Sequence, residues 1–218
     1  MIVSFVSGTG PAGFGLAARF ARAGDAVVIG SRSLDRAEEA RARVLEHVAD
    51  GRVTAAVNEE AIAHGEVVFL TMPATAQRAS VEAVADALAG KIVVSMSNPV
   101  EVRDGKVTTF IPEAGSLAEE VQLLVPSARV VGAFHEIHVR KFARLDRRIE
   151  SDTIVTGDDD LAKQAVMRLC GHVDGVRPVD GGALWLTRFI EGFVAVLISV
   201  NLRYKAGTAL RITGLPGD

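Results

Sequence analysis

The stretch "VSFVSGTGPAGFGLAARFARAGDAVVIGSRS", residues 3–33, decides the fold. It begins with an apolar run, passes through three closely spaced glycines into a segment with helical periodicity, and returns to an apolar run. Gly8, Gly10 and Gly13 satisfy the pattern G-x-G-x-x-G. Within a strand–helix–strand unit of about thirty residues, this pattern indicates a loop that binds a dinucleotide.

Each glycine of the loop has a physical role. Gly8 permits the tight turn, Gly10 lets backbone approach a diphosphate, and Gly13 lets the helix pack closely on the strand. The helix N-terminus then offers free N–H groups and the positive end of its dipole to the anion. An ordinary glycine turn is the alternative. The predicted nucleotide contacts of this loop are Gly8, Thr9, Gly10, Pro11, Ala12 and Gly13.

The second apolar run ends on a cation. An enzyme that prefers NAD usually has an acidic residue here, which accepts hydrogen bonds from the ribose 2′-OH. This chain has Ser31 and Arg32 instead, with no acid before Asp35. Arg32 can pair with a 2′-phosphate while Ser31 donates a hydrogen bond, and Arg36 is a further candidate. The sequence therefore predicts NADP(H), although Arg32 could also be an exposed arginine at a helix start.

Short runs rich in valine and isoleucine alternate with amphipathic helical runs along most of the chain. This alternation predicts an α/β fold, a Rossmann-type doubly wound parallel sheet with a small C-terminal α/β subdomain. The predicted helices cover residues 13–23, 33–49, 76–88 and 116–124. The predicted strands are residues 2–6, 26–29, 53–57, 67–70, 92–95 and 130–134.

The pattern changes after residue 146. We expect a short strand over 153–156, a helix over 161–172, a glycine-rich loop over 173–182 and a long apolar helix over 183–204. The predicted domains are therefore an NADP-binding domain, residues 1–146, and a C-terminal subdomain, residues 147–218, for the acceptor pocket and dimerisation.

Composition excludes several classes of function. The net charge of −3 over 218 residues gives no indication of a nucleic-acid or membrane partner. Cys170 is the single cysteine, which fits a reducing compartment. No signal peptide is recognisable at the N-terminus, and Glu191 interrupts the most apolar stretch, residues 189–200, which predicts a buried helix. The predicted location is cytoplasmic.

Two turns follow predicted strands at the edge of the sheet where ligands bind. "LTMPATA" follows the fourth strand and "SMSNPV" ends the fifth. Met72, Pro73, Asn98 and Pro99 are therefore positional candidates for a nicotinamide pocket, or they belong to plain turns.

Acid–base residues are scarce near these turns. The chain has no Tyr-x-x-x-Lys pair after the fourth or fifth strand. His135 and His138 lie in "FHEIHV", which reads as extended and would point them to opposite faces, so no metal site is predicted. Glu136 could act as a base, but nothing in the sequence selects it. This scarcity suits a hydride acceptor that needs no proton donor from the protein.

The chain resembles the NADPH:factor-420 oxidoreductase family in segments that span nearly its whole length. The most family-specific part is the C-terminal run from "GDDD" through "DGVRPVDGGAL". The matching segments are "SGTGPAGFGLAARFARAGDAVVIGSR", "VVSMSNPV", "SLAEEVQLLVPSARVVGAFHEIHVRKFARLD", "VTGDDDLAKQAVMRLCGHVDGVRPVDGGAL" and "TRFIEGFVAVLISVNLRYKAG".

The resemblance implies direct hydride transfer between NADP(H) and the 8-hydroxy-5-deazaflavin coenzyme, factor 420, as the small-molecule acceptor. It implies that Thr9, Ser31 and Arg32 contact the NADP phosphate. It also implies that His135 and Ile137, the candidate catalytic residues, line the deazaflavin pocket. Family members form homodimers through C-terminal helices, so a homodimer is expected.

Two departures from the family pattern keep other functions open. Trp185 is bulky for a residue expected at the pocket rim, and the segment after His135 carries extra charge. One alternative is an NADP(H)-dependent reductase of another acceptor, such as a pterin, imine, carbonyl or metal chelate. The other is a non-catalytic NADP(H)-binding redox sensor.

Overall fold

The computed structural model describes residues 1–215, whose strands form one eight-stranded sheet and one small hairpin. The hairpin, β6 with β7, is antiparallel and lies outside the large sheet. In chain order the strands are β1 (Ile2–Val6), β2 (Ala26–Ser31), β3 (Val53–Val57), β4 (Val67–Leu70), β5 (Ile92–Ser95), β6 (Val100–Arg103), β7 (Lys106–Thr109), β8 (Arg129–Gly132), β9 (Ser151–Gly157) and β10 (Val176–Gly182).

The large sheet has the strand order β10-β9-β8-β5-β4-β1-β2-β3. Every pairing is parallel except β8 with β9, which is antiparallel. The chain leaves β1 toward β2 and β3, then returns to the other side of β1 for β4, β5 and β8. The carboxyl ends of β1 and β4 therefore flank the switch point at which doubly wound sheets bind ligands. The α/β doubly wound fold is confirmed.

Helices cover both faces of the sheet. A 3-10 turn, residues 184–186, precedes the last helix. The helices are α1 (Pro11–Arg22), α2 (Leu34–Leu45), α3 (Asn58–His64), α4 (Ala74–Glu82), α5 (Ala85–Leu88), α6 (Leu117–Leu124), α7 (Val139–Ala143), α8 (Asp160–Gly171) and α9 (Thr187–Tyr204).

Side chains of one strand alternate between two hydrophobic clusters. In β4, Val67 and Phe69 pack with α1, α2 and α8, whereas Val68 and Leu70 pack with α3, α4 and α6. Because successive side chains of a strand point to opposite faces, a strand buried on both faces is apolar throughout. This is why the central strands are recognisable as unbroken apolar runs in the sequence.

The structure corrects several sequence-based boundaries. Residues 176–182 form strand β10, where a glycine-rich loop was predicted. Because β10 is an edge strand, Pro178 can lie in it without removing a hydrogen bond between two inner strands. The predicted helix over residues 76–88 is divided into α4 and α5. Helix α3 and the β6–β7 hairpin were not predicted.

The predicted domain boundary falls between α7 and β9. Strands β9 and β10 of the predicted C-terminal subdomain extend the same sheet as the predicted NADP-binding domain. The division into residues 1–146 and 147–218 stays a prediction, and residues 216–218 of it lie outside the described part of the chain.

Helix α9 is not the buried helix that the sequence predicted. Glu191 and Val194 are buried, but Phe189, Phe193 and Val196 are 62%, 41% and 54% exposed. The segment Leu184–Tyr204 is long and apolar enough to cross a membrane by length and composition alone, with a mean hydropathy of 1.5. The helix therefore packs one side on the fold and leaves an apolar face uncovered in the single chain.

Candidate functional site

The glycine loop connects β1 to α1 in a tight turn. The N–H of Gly8 donates to the Gly30 carbonyl at 2.8 Å, which ties the loop to β2. Ser7 has a φ of 58°, and its N–H donates to Asn58 Oδ1 at 3.2 Å. A Cβ on Gly13 would lie 2.7 Å from Gly8 Cα, a contact that real Cβ atoms do not make. Glycine at position 13 is thus required for helix and loop to pack together.

Gly10 faces open space at the start of α1. A Cβ built on this residue would have no neighbour within 4 Å among the described residues. The N–H groups of Ala12 and Gly13 precede the first helical hydrogen bond, which runs from Phe14 N–H to Gly10 O at 2.9 Å. They have no acceptor within the helix and lie at its positive end. This geometry fits a diphosphate on the loop.

The end of β2 presents an unpaired cation. Arg32 is exposed, and its side chain forms no hydrogen bond or ion pair with residues 1–215. Ser31 is buried, and its Oγ accepts from Ser33 N–H at 3.3 Å. Arg36 is exposed on α2. A cavity of about 300 Å³ adjoins Arg32 and is also lined by Val57, Asn58, Glu59, Ser80, Ala83 and Val84.

A larger cavity, of about 400 Å³, lies at the carboxyl ends of the strands and is named here the central cavity. One wall is the ends of β4, β5 and β8, and the opposite wall is α9 with Val102 of the hairpin. Its lining residues are Ala12, Thr71, Met72, Met96, Ser97, Asn98, Val102, Phe134, His135, Glu136, Ile137, His138, Val139, Phe142, Val194, Leu197, Ile198, Asn201 and Leu202.

His135 is a buried, neutral imidazole in the wall of the central cavity. Its Nδ1 lies 3.2 Å from the Ser97 carbonyl and 3.2 Å from Asn98 Oδ1. Because both oxygens only accept, Nδ1 carries the proton. Nε2 then holds a lone pair, and it has no hydrogen-bond partner within residues 1–215. Burial lowers the pKa of His135 to about 4, so the ring is uncharged near pH 7.

Glu136 anchors the loop after β8 to β9. Its Oε1 accepts from Ile154 N–H at 3.1 Å, and its Oε2 accepts from Thr153 Oγ1 at 3.3 Å. Thr153 Oγ1 in turn accepts from Phe134 N–H at 2.7 Å. Burial raises the pKa of Glu136 to about 7. Since both carboxylate oxygens contact β9, this geometry fits a positioning residue rather than a general base.

The segment after His135 is a turn, and its prediction as extended chain was wrong. Phe134 has a φ of 64°, which turns the chain, and His138 caps α7 by accepting from Arg140 N–H at 3.1 Å. Phe134 is held by aromatic contacts with Phe69 and Phe142, each with a centroid distance of 6.0 Å. These contacts stabilise a backbone conformation that is unfavourable for phenylalanine. No cluster of three or more potential metal ligands occurs within residues 1–215.

The structure brings only some of the predicted site residues together. Ala12, Met72, Asn98, His135 and Ile137 all line the central cavity. The other predicted residues do not. Gly8, Thr9, Gly10, Pro11 and Gly13 form the adjoining loop, Ser31, Arg32 and Arg36 lie at the end of β2, Pro73 precedes α4, and Pro99 follows β5.

Two further features of the site were not predicted from the sequence. The C-terminal subdomain was predicted to form the acceptor pocket, but the α9 residues that line it, such as Val194 and Ile198, were not identified. Trp185, expected at the rim, does not line the central cavity. Trp185 is half exposed and packs edge-on against Phe189, at a centroid distance of 5.8 Å. The 3-10 turn carries Trp185 onto the uncovered face of α9.

One buried arginine fixes the segment after α7. Arg19 of α1 is 6% exposed, and its Nε donates to Phe142 O at 3.0 Å. Its Nη2 donates to the carbonyls of Lys141, Arg144 and Arg147 at 3.0, 2.8 and 3.0 Å. Since charged donors form the stronger hydrogen bonds, this segment has a defined conformation next to the cavity.

A doubly wound sheet with a glycine loop and a cavity at its switch point is typical of a dinucleotide-binding protein. The family model described as "NADP oxidoreductase coenzyme F420-dependent" matches residues 2–99. The chain is 36% identical over 222 residues to the F420-dependent NADP reductase of Methanocaldococcus jannaschii, covering 99% of both chains. The chain belongs to the family of F420-dependent NADP reductases.

A second curated relative agrees with this assignment, and a solved structure supports the fold. The F420-dependent NADP reductase of Methanothermobacter thermautotrophicus is 34% identical over 223 residues, covering 99% of this chain and 96% of the relative. The crystal structure of an Arthrobacter sp. FB24 protein assigned as an F420-dependent NADP-reductase has a TM-score of 0.82 at 24% identity. It covers 97% of this chain and 99% of its own, and it supports the fold.

Proposed function

We propose that this protein transfers a hydride between NADP(H) and factor 420. The observation that carries the proposal is the central cavity, which meets the glycine loop at Ala12 and is walled mainly by apolar side chains. Full-length similarity to proteins named F420-dependent NADP reductases supports the choice of acceptor. When both molecules are bound, the nicotinamide and deazaflavin rings supply the chemistry, a hydride moving between nicotinamide C4 and deazaflavin C5.

The nucleotide is bound by four groups of residues in this proposal. The backbone of Gly8–Gly13 and the N-terminus of α1 hold the diphosphate. Arg32, with Ser31 and Arg36 beside it, binds the 2′-phosphate. The cavity next to Arg32 accommodates the adenine ring. Met72, Pro73, Asn98 and Pro99, at the ends of β4 and β5, direct the nicotinamide toward the central cavity.

The protein acts on the rings by holding them together and keeping water out. Because His135 is neutral, it places no competing charge beside the reacting atoms, and its Nε2 can accept one hydrogen bond from a bound ring. Ile137 and the α9 side chains Val194 and Ile198 provide an apolar wall. Holding two reactants in a near-attack arrangement supplies much of the rate of such a transfer.

The proposal predicts turnover with factor 420. Purified protein mixed with NADPH and oxidised factor 420 should bleach the deazaflavin absorbance, and the reverse mixture should restore it. Reduction of a pterin, imine, carbonyl or ferric chelate, with factor 420 left unchanged, would instead favour another acceptor. Tight NADPH binding without oxidation by any of these would favour a redox sensor.

A cytoplasmic homodimer is part of the proposal. The uncovered face of α9 carries Phe189, Phe193 and Val196, and the family resemblance predicts dimerisation through C-terminal helices. The opposite side of α9 is committed to the fold, because buried Glu191 accepts from Leu117 N–H at 2.9 Å and Ala118 N–H at 3.2 Å. A second copy of the same face can cover these apolar side chains.

Phe189→Asp should convert the dimer to a monomer. The new carboxylate would be buried without a partner at the interface, whereas the single chain leaves this position 62% exposed. Sedimentation velocity should change from twice the chain mass of 23.0 kDa to one chain mass. Leu161→Asp, on the exposed side of α8, is the matched control and should remain dimeric. A monomeric wild type, or one that sediments with lipid vesicles, contradicts the dimer.

A further inference from the structure

A second cavity with strongly basic walls adjoins the central cavity. Its volume is about 540 Å³, and it is named here the basic cavity. His138 lines both cavities, so the two are neighbours on either side of the start of α7. The lining residues of the basic cavity are His138, Arg140, Lys141, Arg144, Arg147, Arg148, Glu150, Ala206 and Gly207.

Two of these cations have no acidic partner among the described residues. The side chains of Arg140 and Arg144 form no hydrogen bond or ion pair within residues 1–215. Lys141 Nζ donates to the Thr208 carbonyl at 3.1 Å, and Glu150, an acidic residue that also lines the cavity, offsets part of its charge. Arg147 and Arg148 lie near Asp146 and Asp174, at 3.7 and 3.0 Å, in exposed pairs that contribute little.

The walls of the basic cavity are held in place before any ligand arrives. Arg19 fixes the backbone of residues 141–147 through four carbonyls. The Lys141–Thr208 hydrogen bond joins this segment to the chain that follows α9. Because the backbone that carries the cations is already fixed, binding an anion costs mainly the conformational entropy of their side chains.

The positive charges of the basic cavity act on His138, which also lines the central cavity. The pKa of His138 is lowered, first by burial and then by the charges of Arg140 and Lys141. Like charges held this close repel one another, and an anionic ligand would relieve the repulsion. The anions of NADP(H) do not need these cations, because the glycine loop and Arg32 already account for them.

We propose that the basic cavity binds the anionic tail of factor 420, its phosphodiester and glutamyl carboxylates, while the deazaflavin ring occupies the central cavity. This inference rests on the proposed function and names the group that distinguishes the whole coenzyme from its ring. Arg140 and Arg144 are the principal contacts, since a free guanidinium binds phosphate and carboxylate oxygens through two parallel hydrogen bonds.

The double variant Arg140→Gln, Arg144→Gln tests the inference. The readout is quenching of deazaflavin fluorescence in equilibrium titrations, with intact factor 420 and with 8-hydroxy-5-deazariboflavin, which lacks the anionic tail. The Kd of intact factor 420 should rise by about tenfold or more in the variant, because two charge-assisted contacts are lost. The Kd values of the tailless analogue and of NADPH should stay unchanged.

Arg129→Gln is the matched control, because Arg129 lies at the amino end of β8, away from the central cavity, and the variant also removes positive charge. It should leave both Kd values unchanged. The inference is overturned if wild type binds the two deazaflavins equally at low salt, or if the double variant weakens both alike. Binding is measured without turnover, so a failure of hydride transfer would be distinguished from a failure of tail binding.

Discussion

Replacing Gly10 with valine is expected to weaken strongly the binding of both NADPH and NADH. The site of the new side chain is open in the single chain, with no described atom within 4 Å of the Cβ, and the φ of −77° is accessible to valine. The side chain would stand where the diphosphate must approach the backbone. We expect the Kd of either nucleotide, measured by calorimetry, to rise by on the order of 100-fold, about 2.7 kcal/mol.

Two other substitutions separate this effect from damage to the fold. Gly10→Val should unfold within a few degrees of wild type, because its Cβ meets no neighbour in the chain. Gly13→Ala should lower the melting temperature, because the added methyl would collide with the backbone of Gly8. Gly171→Val adds the same side chain at another open position, at the end of α8, and should bind normally. Normal nucleotide binding by Gly10→Val would remove the glycine loop from the site.

The loop and the central strands could be predicted because their signals are local. The spacing of Gly8, Gly10 and Gly13 encodes one turn within six residues, and the apolar runs around them report burial on both faces of a sheet. The same applies to Arg32, since its position follows directly from the end of β2. Prediction worked where a few neighbouring residues decide the geometry.

The central cavity could not be predicted as a whole because distant segments form it. Helix α9 begins 52 positions after His135, and no sequence pattern indicates that Val194 and Ile198 face the ends of β4 and β5. Strand β10 was missed for a related reason. Its proline and glycines are unfavourable for a strand in general, and only its place at the sheet edge makes them acceptable.

The sequence contains a basic run at the basic cavity, but the run alone did not indicate a cavity. Residues 140–148, "RKFARLDRR", are plainly basic, yet such a run is usually a solvated surface. The structure adds Arg19, which lies more than 120 positions earlier and fixes the backbone of this run. The burial of Arg19 could not be predicted, because it depends on contacts with this distant run.

Arg32→Ala is expected to weaken NADPH far more than NADH. The Arg32 guanidinium has no partner within residues 1–215, so its removal breaks no contact of the fold. Losing one charge-assisted phosphate contact should cost about 1.5–3 kcal/mol. The Kd of NADPH should therefore rise on the order of 10- to 100-fold, whereas NADH, which lacks the phosphate, should change less than about threefold.

The comparison between nucleotides makes the Arg32 experiment decisive. A residue that binds the shared diphosphate or adenine would weaken both nucleotides by the same factor, so an equal loss would show that Arg32 does not contact the 2′-phosphate. Arg36→Ala, one helical turn further on, provides the graded control: a smaller loss confined to NADPH is expected if it assists Arg32. The preference of the protein for NADPH over NADH should also fall with added salt, because the contact between Arg32 and the 2′-phosphate is between exposed charges.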